Sequence, residues 1–377
     1  MTRSAFPARQ AAILGIGATR AGLHPGKAAE DLGLAAFKAA LADAGIEKHQ
    51  VEGVLGAVIA GSGINAEAFS ALVGLNPKVT AALTYATSAF TLHYAAMLVA
   101  TGACDIVACV YARNPPGAGE ALSGPSVYNA AHGLINANAI AALGWSQHMA
   151  TYGSSVEDLA HVAVAARKYA QINPDAAFRE PLTFDDYMAQ EFLIWPFREL
   201  DIAKTVAAGM TVIVGSREAA RDCAGKPVYL EAVGRHASAR MFENDDHLLM
   251  GTMEQVAAQV YGASGLTPAD IEALYIYDAT TAVVLQTLEN YGFCGKGECG
   301  AFVRHGRIDP GGALALNTYG GHLSGGYLFG WLHHVDMVRQ MRGEAGAAQL
   351  ATVPRIAQYC TTGGAREHYS STIFVTE

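Results

Sequence analysis

The chain has 377 residues, 51% of them hydrophobic and 16% charged, with 25 Lys and Arg against 34 Asp and Glu and a formal net charge of -9. That composition excludes a disordered chain, the acidic balance argues against a broad nucleic-acid or anionic-lipid face, and no apolar run approaches the roughly 20 residues that span a bilayer. Six cysteines are ordinary usage for a reducing compartment, not a disulfide framework. A cytoplasmic protein is therefore expected, and the low charge points to much buried surface, in a multilayer core or against a partner.

The opening Met1 to Ser4 followed by Ala11 to Gly17 superficially resembles a short signal peptide, but Gly15 and Gly17 interrupt the apolar run. It reads better as a first buried strand, Ala11 to Ala18. A helix over Ala29 to Ala44, a strand over Gly53 to Ile59, a helix over Ser88 to Thr101 and a strand over Asp105 to Tyr111 follow, an alternation that means α/β layers. From about residue 115 to 205 the composition turns to Gly, Pro, Tyr, Trp and charged residues, with helical stretches such as Val156 to Gln171, and this is read as an inserted lid or loop domain.

The second half predicts strands at Thr211 to Val214 and Pro227 to Val233 and a helix at Met253 to Tyr261. A helix start follows at Thr267-Pro268-Ala269-Asp270, with cap hydroxyl, first-turn proline and capping acid. Next come a strand at Ala273 to Tyr277, helices at Ala279 to Tyr291 and about Gly326 to Arg342, and strands near Leu350 to Val353 and Ser371 to Thr376. Both halves share an order of strand, helix, strand, helix, strand, which predicts an internal duplication with its seam near Arg221 to Lys226, dividing the chain into 1–225 and 226–377.

Glycine, 41 residues in all, concentrates around Gly292 to Gly300, Gly311-Gly312, Gly320-Gly321, Gly325-Gly326 and Gly363-Gly364. Glycine turns let backbone amides approach a ligand, although any single pair is equally a tight turn in a packed core. Taken together, Tyr277-Asp278-Ala279-Thr280, the Gly292 to Glu298 loop, Asn317-Thr318-Tyr319-Gly320-Gly321-His322-Leu323-Ser324-Gly325-Gly326-Tyr327 and Arg339 to Gly343 resemble the C-terminal half of the thiolase superfamily, in the lipid-transfer-protein branch related to the sterol carrier protein X thiolase. Ala12 to Thr19, Gly102 to Val107 and Pro181 to Tyr187 extend the resemblance through most of the chain. It implies a duplicated five-layer α/β/α/β/α fold, two similar halves face to face, with the loop domain over the site.

A thiolase attacks its thioester with a cysteine at the N-terminus of a buried helix. The matching position here is Tyr85, in Tyr85-Ala86-Thr87-Ser88, and no cysteine lies between Met1 and Ala103. Where the sterol-carrier thiolases read His-Asp-Cys-Phe this chain has Tyr277-Asp278-Ala279-Thr280, and where thiolases read Gly-His-Pro it has Gly326-Tyr327-Leu328. Tyrosine at both histidine positions is similar to the thiolase-like aldolases that shorten steroid CoA thioesters by retro-aldol cleavage. That chemistry needs no acyl-enzyme, only a base for the β-hydroxyl, donors for the enolate oxygen and an acid for the α-carbon.

Tyr277 and Tyr327 are accordingly expected to be the acid/base pair, although either ring, taken alone, reads as ordinary packing among 16 tyrosines. Asn317 and the amides of Gly320, Gly321, Gly363 and Gly364 are expected to orient the thioester carbonyl, with Tyr85, Ser88, Asp278 and His322 beside the substrate. Cys360 falls where thiolases carry their second cysteine and is the weakest carry-over, since a buried inert thiol is the commoner state. Cys294 and Cys299 lack a second ligand pair, and His333 and His334 point about 100° apart on one helix, so they are read as interface residues and no metal is assigned.

No cofactor is expected beyond the coenzyme A carried by the substrate. The resemblance implies a homodimer working with a small OB-fold and zinc-ribbon partner. Two other readings stay open: an acyltransferase using Ser88 or a displaced cysteine as nucleophile, and a non-catalytic subunit of thiolase fold.

Overall fold

A computed structural model describes residues 8–24, 26–59, 62–84, 87–115, 131, 134, 136–237, 248–363 and 368–377. Its first half runs β1 (Ala11–Ala18), α1 (Ala29–Ala44), β2 (Gly53–Ile59), β3 (Ser62–Gly63), α2 (Ala66–Val73), β4 (Val79–Thr84), α3 (Ser88–Ala100) and β5 (Ile106–Arg113). After α4 (Ala137–Tyr152), α5 (Val156–Ile172), α6 (Phe184–Met188) and the short pair β6 (Phe192–Ile194) and β7 (Phe197–Arg198), the sheet resumes with β8 (Ala208–Ser216) and α7 (Arg217–Asp222). Then come β9 (Val228–Ala237), α8 (Thr252–Ser264), β10 (Ala273–Ile276), α9 (Thr281–Asn290), α10 (Cys299–Val303), β11 (Ala315–Leu316), α11 (Trp331–Arg342), β12 (Ile356–Gly363) and β13 (His368–Val375).

The duplication is visible in the hydrogen bonding. The order β1-β8-β5-β2-β4 is repeated by β9-β13-β12-β10-β11, with the same antiparallel and parallel pairings at each step. The two sets are also joined where β1 meets β9 at Ala12↔Tyr229 and Ile13↔Val228. In β1, Ala11 and Ile13 enter the central core while Ala12 and Leu14 enter an outer one. Both faces are covered, so the strand reads as continuously apolar instead of alternating.

The middle layer consists of α3 and α11, each touching strands of both halves. On the outside, α1 lies across β1, β5 and β8, and α8 across β9 and β13. The apolar stripe of α1, Leu32, Ala36, Phe37, Ala40 and Ala44, explains its seat, and Gly45 in the left-handed region ends it. A Cβ on Gly17 would stand 1.9 Å from the Ala36 carbonyl oxygen, so β1 and α1 meet backbone to backbone. Gly17→Ala is expected to lower stability by roughly 2–3 kcal/mol through overpacking, read as a lower urea midpoint with unchanged slope.

Two expectations are corrected. The last helix begins at Trp331 instead of Gly326, because Gly326 and Gly330 have φ of 127° and 89° and cannot continue a right-handed helix. The strand placed near Leu350 to Val353 is instead β12, starting at Ile356, since the Gln340 side-chain carbonyl of α11 accepts from the Gln349 side-chain amide and the Leu350 backbone amide and holds both in a loop. Strand β4 and helix α2 were not predicted, and β4 is needed to complete the repeat. Among the described residues no helix is long and apolar enough to cross a membrane.

The inserted region reaches the centre of the second half. The Ala177 and Phe178 amides donate to the Gly325 and Ser324 carbonyls at 3.1 and 2.9 Å, and Arg167 Nε donates to Ser324 Oγ at 3.0 Å. Its trailing segment forms bridges from Ile202 to Thr280 and from Thr205 to Tyr327.

Candidate active site

Strand β10 ends at Ile276, and the next residue, Tyr277, is held by its amide on the Cys360 carbonyl at 2.8 Å. Tyr327 follows the turn at Gly321–Gly325 and is held by its amide on the Lys204 carbonyl at 2.9 Å. These supports bring the two phenols together across 50 residues of chain, hydroxyl to hydroxyl at 2.5 Å, with the rings at 76°. Both are buried, 5% and 2% exposed, so no bulk water competes for that bond.

His322 fills the angle between them. Its ring stands edge-on to Tyr277 and Tyr327, 4.7 Å from each, and 4.3 Å from His333. Burial, then the neighbouring His333, hold its pKa well below the ordinary imidazole value, so it is neutral. The Gly330 amide donates to His322 Nε2 at 2.9 Å, which places the ring proton on Nδ1, 3.6 Å from Asp278 Oδ1. His322 therefore packs and polarises the tyrosines without a charge of its own.

Burial raises both phenols above the usual tyrosine pKa. For Tyr277, the neighbours Tyr327, Tyr359 and Tyr111 push the same way. For Tyr327, the bond with Tyr277 and the Arg113 guanidinium act against burial without overcoming it. Neither is a standing phenolate, so a proton can be taken up only as another is passed on.

Several expected roles change. The Asn317 amide accepts from the Ile276 amide at 2.8 Å and donates to the Ile276 carbonyl at 2.9 Å, so both its ends are taken and it ties turn to strand instead of facing a thioester. The Gly320 amide donates to the Asn317 carbonyl, and the amides of His322 and Leu323, one and two residues beyond Gly321, donate to Asp278 at 2.8 and 3.2 Å. Asp278, 1% exposed, is the anchor of that turn. Gly363 lies at the last pair of β12 with β13, opposite His368. Tyr85 and Gly364 lie outside the described residues.

Cys360 is also corrected. Parallel pairing sets Tyr275 beside Tyr359 and Ile276 beside Cys360, and side chains alternate along a strand. Tyr275, Tyr277 and Tyr359 consequently share the central core, while Cys360 faces the outer one, 3.6 Å from Ser371 Oγ. Burial pushes its thiol up to about 12. Cys360→Ala is expected to keep turnover within a factor of about three and to cost about 1 kcal/mol of stability; a rate loss equal to that of the tyrosines would put the thiol in the reaction.

His333 and His334 are not interface residues but are 0% and 1% exposed. His333 Nε2 meets the Ile276 carbonyl at 2.8 Å and Asp278 at 3.1 Å, and its Nδ1 meets the Tyr319 hydroxyl at 3.2 Å. His334 packs on Tyr359 with ring centres 4.5 Å apart. Sequence reasoning missed Tyr359, which β10–β12 register alone brings to the site, and the Ile202–Thr205 segment that bridges to Thr280 and Tyr327. A groove of about 370 Å³, lined in part by Arg20, Asn173, Leu332 and Arg339, reaches Tyr319.

Among the described residues, two sets of side chains bring metal-ligand atoms within 4.8 Å of one another: Asp278, His322 and His333, and, remote from the tyrosines, His148, Glu289 and Cys299. In the first, Asp278 already holds two amides. In the second, Glu289 holds the Gly297 and Cys299 amides and pairs with His148 at 2.9 Å. The cysteines nearest α3 in sequence, Cys104 and Cys109, are buried with thiols raised by burial, the opposite of an activated nucleophile.

The thiolase C-terminal domain-like family matches residues 234–376. The chain is 32% identical over 362 residues to the 17-hydroxy-3-oxo-4-pregnene-20-carboxyl-CoA lyase of Mycobacterium tuberculosis, covering 89% of this chain and 92% of that one. It is 31% identical over 366 residues to the steroid side-chain-cleaving aldolase of Thermomonospora curvata, covering 88% and 90%. Among solved structures, an Ltp2-ChsH2(DUF35) aldolase superposes with a TM-score of 0.88 at 30% identity over 98% of both chains. Similarity along nearly the whole length makes this chain a member of the thiolase superfamily, in the lipid-transfer-protein branch that holds the steroid side-chain-cleaving aldolases.

Proposed function

We propose that this protein is an aldolase that breaks the bond between the α- and β-carbons of a β-hydroxyacyl-CoA side chain on a steroid or similar polycyclic, leaving a ketone on the rings and a short acyl-CoA. The observation that carries this reading is the direct bond between the Tyr277 and Tyr327 hydroxyls in a buried cluster. Retro-aldol cleavage moves one proton in net, from the β-hydroxyl to the α-carbon. Two neutral phenols sharing one hydrogen bond can do that by relay: one oxygen takes the substrate proton as its own proton passes to the partner, which delivers one to carbon. No acyl-enzyme, redox step or water is consumed, and coenzyme A enters only as part of the substrate.

The relatives support the substrate class. A 17-hydroxy-pregnene-20-carboxyl-CoA carries its hydroxyl β to the thioester, and cleavage between carbons 17 and 20 gives a 17-ketone and propionyl-CoA. A DUF35-class partner, a small OB-fold and zinc-ribbon protein, is inferred from the related Ltp2-ChsH2(DUF35) aldolase. A homodimer is proposed as well: β4 pairs only with β2 among the described strands, and Tyr94 and Met97 of α3 are exposed. A cytoplasmic location belongs to the same reading.

The test is to incubate the protein, alone and co-expressed with such a partner, with 17-hydroxy-3-oxo-4-pregnene-20-carboxyl-CoA and follow products by mass spectrometry. Ketone and propionyl-CoA in equal amounts, with no mass added to the protein, are expected. An acyl adduct on the protein without ketone would replace this reading with acyl transfer.

A further inference from the structure

We infer that the Ser88 and Tyr359 hydroxyls, at the N-terminus of α3, receive the thioester oxygen as it becomes an enolate. The inference rests on the retro-aldol reading above. When the carbon–carbon bond breaks, its electron pair passes to the α-carbon and is shared with the thioester oxygen, and that charge requires fixed donors in a dry site. The Asn317 side-chain amide and the backbone amides of Gly320, His322 and Leu323 are occupied within the protein, and His322 Nε2 accepts a bond instead of giving one. None of these groups is free to supply the donors.

Tyr359 lies on the strand next to Tyr277 and faces the same core. Its hydroxyl and that of Ser88 are on residues 1% and 0% exposed, and the hydrogen-bonding neighbours of the Tyr359 phenol are the Thr361 and Ser88 hydroxyls. Neighbouring buried hydroxyls can turn their protons from one another onto an arriving oxyanion, since each O–H rotates to suit its acceptor.

Both oxygens converge on one point of backbone. A Cβ on Gly330 would stand 2.1 Å from the Tyr359 oxygen and 2.5 Å from Ser88 Oγ, and Gly330 has φ of 89°. Only glycine leaves that space open. The same backbone continues from Tyr327 through Phe329, whose carbonyl accepts the Ser88 amide at 3.0 Å, so the hydroxyl pair and the tyrosine pair belong to one rigid unit. Ser88 is the first residue of a 13-residue helix whose N-terminal end carries partial positive charge, which adds to the attraction for an enolate oxygen.

In the step itself Ser88 and Tyr359 donate hydrogen bonds and keep their protons, while the substrate proton travels through Tyr277 and Tyr327 to the α-carbon. An enolate donor is needed whether the enolate arises from cleavage or from simple removal of an α-proton. Exchange of the α-hydrogens of propionyl-CoA in deuterium oxide therefore reads this role apart from steroid binding. Wild-type protein, with its partner, is expected to cleave the steroid thioester and to exchange propionyl-CoA.

Ser88→Ala and Tyr359→Phe are each expected to slow both reactions by roughly 10²- to 10³-fold through kcat, as for loss of an oxyanion donor, with KM little changed. If Tyr359→Phe fails to fold, Ser88→Ala, which removes one buried oxygen, decides alone. Retention of both rates within about threefold in the folded variants would overturn the placement, as would an acyl group found on Ser88 in the working enzyme. Wild-type protein that neither cleaves nor exchanges would instead overturn the retro-aldol reading, and this inference with it.

Discussion

Replacing Tyr277 or Tyr327 by phenylalanine is expected to slow carbon–carbon cleavage by roughly 10²- to 10⁴-fold, the range for losing a general acid or base. Each substitution keeps the ring and its contacts with His322 and removes only the oxygen that makes the 2.5 Å bond. Binding of the CoA ester should be kept, so the loss belongs in kcat. A relay needs both oxygens, and the double variant should be little worse than either single one because the two act as a unit.

The direction of the pKa shifts adds a second reading of the same experiment. Free tyrosine titrates near 10, and burial pushes Tyr277 and Tyr327 further up. The wild-type kcat is therefore expected to be flat from pH 7 to roughly 9. A rate climbing tenfold per pH unit across that window would mean that one phenol must ionise first, which is incompatible with the relay.

Asp278→Ala should cost roughly 3–5 kcal/mol of stability, seen as a large fall in urea midpoint. The carboxylate, 1% exposed, accepts from the His322 and Leu323 amides and faces His333 Nε2 at 3.1 Å. Alanine leaves both amides without an acceptor where no solvent can replace it, and leaves His333 Nε2 with the Ile276 carbonyl alone. Cleavage should fall too, since the turn that Asp278 pins carries Tyr327 four residues beyond Leu323. A variant that melts like the wild type would show that the turn is held by something other than this carboxylate.

Much of this was legible in the amino-acid order. The spans of β1, α1 and β2 follow from apolar runs bounded by glycine and capping residues, which are local signals. Tyr277 and Tyr327 stood out because two ionisable residues of one kind occupy both positions that resemble histidine sites. The roles given to Asn317, Gly320 and Asp278 were displaced for a common reason: each sits in the right loop, but its hydrogen-bonding atoms are taken by backbone that the sequence does not show to be nearby.

Cys360 and Tyr359 mark the boundary most clearly. They are adjacent in sequence, and which one faces Tyr277 depends on the register between β10 and β12, separated by some 80 residues of chain. A shift of one residue exchanges the faces of every side chain on a strand. The sequence by itself determined the layered duplicated fold and the chemical character of the site, because periodicity, turn residues and residue type are local properties. Only the tertiary structure decided the pairing of the phenols, the orientation of the thiol and the meeting of the Ser88 and Tyr359 hydroxyls at Gly330, because those depend on register and on contacts made across the whole chain.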